Sequence, residues 1–284
     1  MRKNWLGCAD YTWPKLNHEV ALNLIRGIGF SHVDIGLFYN ATHIKPEEVV
    51  KDVETSSYKL QKIMSEKNLQ VGDVFLIPAA DFETRAPNNL SPSDRKDAIA
   101  MFTKICDFTK LIGGSGVTVL PGNPNKGENP EAALQRSVDM LTKYVNIAST
   151  LNLEVSFEPH DKSITPTPQL AIQLCELVPG LKITLDSGHF EYANFPVKDY
   201  GEIYKYTRHV QLRAAAPGIM QAISCENTTD FIGMISKLFR SGYQGGFTTE
   251  YVWTAGWECR RVDNVSETIF LKELVESCMG DLNV

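Results

Sequence analysis

Four short apolar runs in the second half of the chain each end in polar side chains. They read Val155-Ser156-Phe157-Glu158-Pro159-His160, Ile183-Thr184-Leu185-Asp186, His209-Val210-Gln211-Leu212-Arg213 and Phe247-Thr248-Thr249-Glu250-Tyr251. Side chains on a strand alternate between faces. One face therefore collects Ser156, Glu158, His160, Thr184, Asp186, His209, Gln211, Arg213, Thr248 and Glu250. The other collects Val155, Phe157, Ile183, Leu185, Val210, Leu212, Phe247 and Tyr251. Strands that turn a polar face inward and an apolar face outward fit a closed barrel wrapped in helices, and barrel enzymes keep their chemistry at the C-terminal strand ends.

The first half supplies the rest of the count. Strands are expected at residues 5–9, 32–36, 71–77 and 116–120. Helical patterns fall at residues 19–26, 46–67, 93–111, 130–151, 169–177, 197–206, 229–240 and 265–278. Pro46 followed by Glu47 and Glu48 is a helix start. Gly113-Gly114 follows a helix and precedes a strand, the wrong order for a phosphate cradle, and reads as a helix stop at the barrel bottom. Eight strands alternating with eight helices predict a single (β/α)8 TIM barrel with parallel pairing, one domain over residues 1–284. The loops at 79–92, 121–129 and 214–227 are longer than a barrel needs and are candidates for a lid or substrate wall.

Hydrophobic residues make up 43% of the chain and charged ones 22%, as in an ordinary globular enzyme. The net charge of −6 argues against a nucleic-acid groove and against docking on anionic lipid. Arg2 and Lys3 are not followed by an apolar stretch of signal-peptide length, and no window reaches the length of a membrane span. The six cysteines have no paired spacing and read as reduced thiols. A cytoplasmic enzyme is expected.

Glu158, Asp186 and Glu250 converge at the same barrel end. Either they are ordinary loop carboxylates or they surround a cation. Converging buried anions need counter-charge, and Arg213 is the only inward cation on these four runs. A divalent metal meets that need, and all-oxygen ligation suits Mg2+ or Mn2+ more than Zn2+. His160 is a general base or substrate ligand, or a loop histidine bonded to a backbone carbonyl. His189 is a substrate contact or a solvent-facing loop residue. His209 lies deepest and reads as a barrel-interior residue. Gln211 is level with a ligand position. Arg213 sits at the rim, where it would grip substrate oxygens or form a surface ion pair. Trp13, Phe38, Phe82, Phe190, Trp253 and Trp257 lie just past strand ends; core packing accounts for most, and one or two could stack on a sugar.

The order Glu-Pro-His, Leu-Asp-Ser-Gly-His-Phe, His-Val-Gln-Leu-Arg and a terminal-strand Glu resembles the xylose isomerase-like TIM-barrel superfamily. That group includes sugar phosphate isomerases and epimerases, ketose 3-epimerases, inosose dehydratase and the endonuclease IV branch. The resemblance implies a metal held by Glu158, Asp186, Gln211 and Glu250, and a substrate contact for His189. Arg213 looks similar to substrate-touching arginines, at a different offset. Gln211 departs from the family's histidine, unless the alignment slips and His209 is the ligand. An added His160 is a second departure, and with it the chain also resembles the large subunits of bacterial C-glycoside-deglycosylating enzymes, which work with a small β-sandwich subunit. The endonuclease branch does not fit, because it needs a histidine-rich zinc site and this acidic chain has six His.

Three functional expectations follow. The first is a sugar isomerase or epimerase in which Glu158 and Glu250 move a proton α to a carbonyl through a metal-stabilised enediolate. The second is a lyase in which His160 takes the α-proton and the β-bond breaks, as in a 3-keto C-glycoside or an inosose. The third is a sugar-binding barrel without turnover, for which Gln211 is the support. The substrate is expected to be unphosphorylated. The assembly is expected to be a homo-oligomer, or a hetero-oligomer with a β-sandwich subunit under the lyase reading.

Overall fold

The structure, a computed structural model, describes residues 4–39 and 41–281. Parallel strands close into a barrel in chain order: β1 (Leu6–Ala9), β2 (His32–Leu37), β3 (Gln70–Leu76), β4 (Gly116–Val119), β5 (Glu154–Phe157), β6 (Lys182–Asp186), β7 (Thr207–Leu212) and β8 (Phe247–Thr249), with β8 pairing back onto β1. Around it run α1 (His18–Ile28), α2 (Pro46–Lys51), α3 (Val53–Glu66), α4 (Pro92–Leu111), α5 (Pro130–Ser149), α6 (Pro168–Leu177), α7 (Ser187–Tyr192), α8 (Phe231–Arg240) and α9 (Asn264–Asp281). This is the single (β/α)8 barrel expected from the sequence.

The expected strand faces hold. Phe157, Ile183, Leu185, Val210, Leu212 and Phe247 point outward into the helices and are fully buried. Inside the barrel, Thr118, Ser156 and Thr184 join hydroxyl to hydroxyl, with Thr184 2.6 Å from each of the other two. One feature breaks the alternation. Between β6 and β7 the register steps from Ile183↔Thr207 to Thr184↔His209, leaving Arg208 as an extra, bulged residue. Arg208 swings inward and places Nη2 2.9 Å from Asp73 Oδ1 and 2.7 Å from Ser156 Oγ. Arg213 is therefore not the only inward cation on these strands. Beside this plug, His209 Nε2 meets Asp34 Oδ2 at 2.6 Å.

Besides the short helix α7, which no pattern announced, the helices differ from expectation at three places. The pattern over 46–67 is two helices, because Asp52 leaves the helical conformation and caps α3 by accepting from the Thr55 N–H. The next helix starts before residue 93: Ser91 accepts from the Asp94 N–H at 3.2 Å and Pro92 takes the first turn. Residues 197–206 form two 3-10 turns, Val197–Asp199 and Ile203–Lys205, because Gly201 between them takes φ +58°. Gly113, at φ +83°, ends α4 as a helix stop should.

Cys8, Cys106, Cys175 and Cys259 are buried free thiols, Cys225 is an exposed one, and Cys278 is buried. Among the described residues no helix is long and apolar enough to cross a membrane. Arg2 and Lys3 lie outside the described residues.

Candidate active site

Four strand ends deliver the acidic cluster. Glu158 follows β5 and its N–H donates to the Val119 carbonyl at 3.0 Å. Glu250 follows β8 and its N–H donates to the Leu212 carbonyl at 2.9 Å. Asp186 ends β6 and stands level with Gln211 on β7. Glu158, His160, Asp186, His189, Gln211, Arg213 and Glu250 are between 0% and 7% exposed.

Asp186 also starts the short helix α7. Its Oδ1 accepts from the Gly188 N–H at 2.7 Å, and the helix turns His189 back over the strand end. His189 is therefore buried in the cluster, not solvent-facing on a loop. Its Nε2 lies 3.6 Å from Asp186 Oδ2 and 3.8 Å from Glu158 Oε2. Glu158, Asp186 and His189 offer ligand atoms within 4.8 Å of one another. The donor set expected to be all oxygen has a nitrogen at its edge.

Arg213 is not at the rim and forms no surface ion pair. It is 4% exposed, its Nη2 pairs with Asp186 Oδ2, and the same atom is 3.9 Å from Glu250 Oε2. His209 lies deeper, with its ring held by Asp34 in the barrel interior. Gln211 is the β7 residue that reaches the mouth.

One neighbour holds the Gln211 amide: its Nε2 donates to the Tyr11 hydroxyl at 3.0 Å, and that hydroxyl lies beside Glu250. Gln211 Oε1 and Glu250 Oε2 are buried with no hydrogen-bond partner among the described residues. Tyr11 lies on the 3-10 turn Asp10–Thr12 directly after β1. Sequence reasoning passed over it, although a polar aromatic immediately past a strand end was the signal available.

His160 Nδ1 lies 2.8 Å from the Asp161 carbonyl. A carbonyl only accepts, so Nδ1 carries the proton and Nε2 keeps a lone pair. That Nε2 is buried without a partner. Burial lowers the proton affinity of His160, and burial, Arg213 and His160 together push that of His189 well below the usual histidine range.

The carboxyls shift the other way. Burial, then Glu250 and Asp186, drive Glu158 well above the carboxylate range, with Arg213 opposing. Burial raises Glu250 from 4.5 to about 8, against the pull of Arg213 and the Tyr11 hydrogen bond. Burial and the mutual repulsion of the anions thus outweigh the guanidinium beside them.

A row of rings borders the cluster. Phe82 and His160 have centroids 6.2 Å apart, His160 and His189 5.8 Å, and His189 and Trp257 6.2 Å. Lys162 Nζ lies 5.7 Å from the Trp257 ring. Phe38 packs on Tyr11 and Phe75, Phe190 belongs to the core, Trp13 packs against it, and Trp253 is partly exposed. A cavity of about 810 Å³ opens at the opposite end of the barrel, lined by Trp5, His32, Lys182, Arg208 and Tyr243. Its buried cation, Arg208, is engaged by Asp73 and Ser156, and the strand ends there are N-terminal. The chemistry belongs at the other end.

The residues at the mouth suit a divalent cation: three carboxylates, one amide oxygen and unmet lone pairs on Gln211 and Glu250. No curated protein matches the sequence significantly. Solved structures share the fold over nearly the full length. D-allulose 3-epimerase from Methylomonas sp. is 14% identical, with 98% of this chain and 99% of that one covered and a TM-score of 0.75. The IolI protein, solved with a zinc atom, is 16% identical, with 98% of each chain covered and a TM-score of 0.76. The 3-keto-D-glucoside 4-epimerase from E. coli is 15% identical, with 95% of this chain and 100% of that one covered and a TM-score of 0.72. A family model described as xylose isomerase-like TIM barrel matches residues 22–273. With that match covering most of its length, the chain belongs to the xylose isomerase-like TIM-barrel family.

Proposed function

We propose that the chain is a divalent-metal-dependent enzyme that moves a proton on the carbon next to a sugar carbonyl, as an isomerase or epimerase. One observation carries this reading: Glu158, Asp186, Gln211 and Glu250 are buried at one barrel mouth, where Gln211 Oε1 and Glu250 Oε2 have no hydrogen-bond partner among the described residues. Leaving such atoms unmet is costly, and facing a cation removes the cost. These four residues would hold the metal, and their oxygen donors favour Mn2+ or Mg2+. When bound, the metal supplies Lewis-acid polarisation of the carbonyl. Glu158 and Glu250 are assigned the proton, one removing it and the other returning it. His189 and Arg213 hold substrate oxygens, and the Arg213 Nε, buried without a partner, offers its guanidinium a further donor. The wall of rings from Phe82 to Trp257 suits the apolar face of an unphosphorylated sugar. The neighbours named as sugar epimerases support sugar as the substrate class.

Purified chain is expected to carry about one Mn2+ or Mg2+, lost in Glu158→Ala and Asp186→Ala. With a keto sugar in D2O, NMR should show exchange of the α-proton, and Glu250→Gln should slow it by about 100-fold or more. Exchange at the wild-type rate in that variant rejects the assignment.

A second reading is favoured by His160, whose Nε2 lone pair is fixed and unpartnered. In a lyase this nitrogen would take the α-proton before the β-bond breaks, and a small partner subunit would complete the enzyme. Incubation with a 3-keto C-glucoside separates the two. Release of free aglycone that disappears in His160→Gln favours the lyase; proton exchange without release favours the epimerase.

A further inference from the structure

An amide presents two ends of nearly equal shape and opposite character. If Gln211 turned its NH2 toward Asp186 and Glu250, N–H donors would fill the space a cation needs. Only the oxygen end can bind metal. The side chain by itself does not choose between them.

Tyr11 does. It is 1% exposed, and its ring is held against Phe38 at 4.9 Å and Phe75 at 6.4 Å between centroids. Its hydroxyl accepts from Gln211 Nε2 at 3.0 Å and lies beside Glu250. A phenol has one proton to give. Where Glu250 is a carboxylate, as it is beside a bound cation, it can only accept that proton, and the phenol oxygen accepts from Gln211. The NH2 end must then face Tyr11, and Oε1 must face away from it. Oε1 is indeed the end left buried without a partner.

We propose that Tyr11 is a positioning residue that fixes the Gln211 amide with its oxygen toward the metal position. The inference rests on the metal site assigned above. It is particular to glutamine. A neutral imidazole at 211 would offer a lone pair by choice of tautomer and would need no such partner.

The test uses four full-length chains: wild type, Tyr11→Phe, Gln211→His and the double variant. Mn2+ alone is titrated into each, with free Mn2+ followed by electron paramagnetic resonance. The Gln211 side-chain NH2 is followed by NMR in the metal-free wild type and Tyr11→Phe. Tyr11→Phe is expected to weaken Mn2+ binding about tenfold beside Gln211 and by less than about twofold in the Gln211→His chain. The contact to Glu250 is lost in both backgrounds, so the ratio between them isolates the amide. The Gln211 NH2 signals should shift and exchange faster with solvent in Tyr11→Phe. Phenylalanine keeps the ring packing, and an unchanged thermal midpoint shows that the fold is intact. Equal weakening in both backgrounds, or NH2 signals indifferent to Tyr11→Phe, overturns the proposal. Failure of every chain to bind Mn2+, with an NH2 signal that still responds, overturns the metal reading and supports the hold of Tyr11 on the amide.

Discussion

The guanidinium of Arg208 lies 2.9 Å from Asp73, and the two side chains are 7% and 1% exposed. Removing one member of such a pair leaves the other charged and unmatched in the interior, at a cost of about 3–5 kcal/mol. Arg208→Met should therefore lose about that much stability in chemical denaturation while leaving the mouth residues in place. A midpoint equal to wild type would show that Asp73 finds other relief. At this scale the sequence was partly legible. Glu158, Asp186 and Glu250 could be read because each sits an even number of positions from an inward residue on an unbroken strand. Arg208 could not, because the bulge at that residue suspends the parity on which the reading depends. Tyr11 had only its place past a strand end to mark it, because it stands on a 3-10 turn where neither strand nor helix period applies. The depth of Arg213 was hidden too: its side chain leans back onto Asp186, a choice made by charge and not by register.

Most elements announced their own starts. Proline occupies the first turn of α2, α4, α5 and α6, and side-chain caps precede α4, α5 and α6. The cap of α4 can be tested directly. Ser91→Ala removes the acceptor for the Asp94 N–H and should cost about 1 kcal/mol. For a chain of this size that lowers the thermal midpoint by about 2–4 °C, measurable by calorimetry. Ser91→Asp should recover most of it; loss in both variants would mean that the hydroxyl serves something else. Two elements escaped the sequence for opposite reasons. Residues 197–206 carry helical spacing, but Gly201 in the left-handed region divides them into two turns. The helix Ser187–Tyr192 is too short to show a period and opens on Ser-Gly, so it reads as a loop. It exists because Asp186 caps it.

For the whole molecule, alternation of strand and helix was enough to predict closure, because parallel strands joined by helices with one polar face have few other ways to bury both sides. The electrostatics of the mouth then couple to the stability of the entire fold. In the metal-free chain Glu250 binds its proton up to about pH 8, against 4.5 ordinarily, and Glu158 shifts in the same direction. Between those values these two carboxyls hold more protons in the folded chain than in the unfolded one, so their contribution makes unfolding easier as pH rises. After treatment with a chelator, the thermal midpoint should fall between about pH 7 and about pH 8, above the range in which the buried histidines, whose proton affinity is lowered, oppose the trend. Saturating Mn2+ should flatten the slope, since the metal takes the place of the protons. The double variant Glu158→Gln, Glu250→Gln should show little slope and little response to Mn2+. A chelated wild-type chain that grows steadily more stable across this range would contradict the argument.

The plug of Arg208, Asp73, Thr118, Ser156 and Thr184 blocks the barrel axis. There is no through passage, so any small molecule that reaches Glu158 and Glu250 must depart by the doorway it came in through. Incoming and outgoing compounds would contend for one vestibule, and turnover in such a dead-end chamber should be slowed by accumulated product in direct rivalry with fresh reactant.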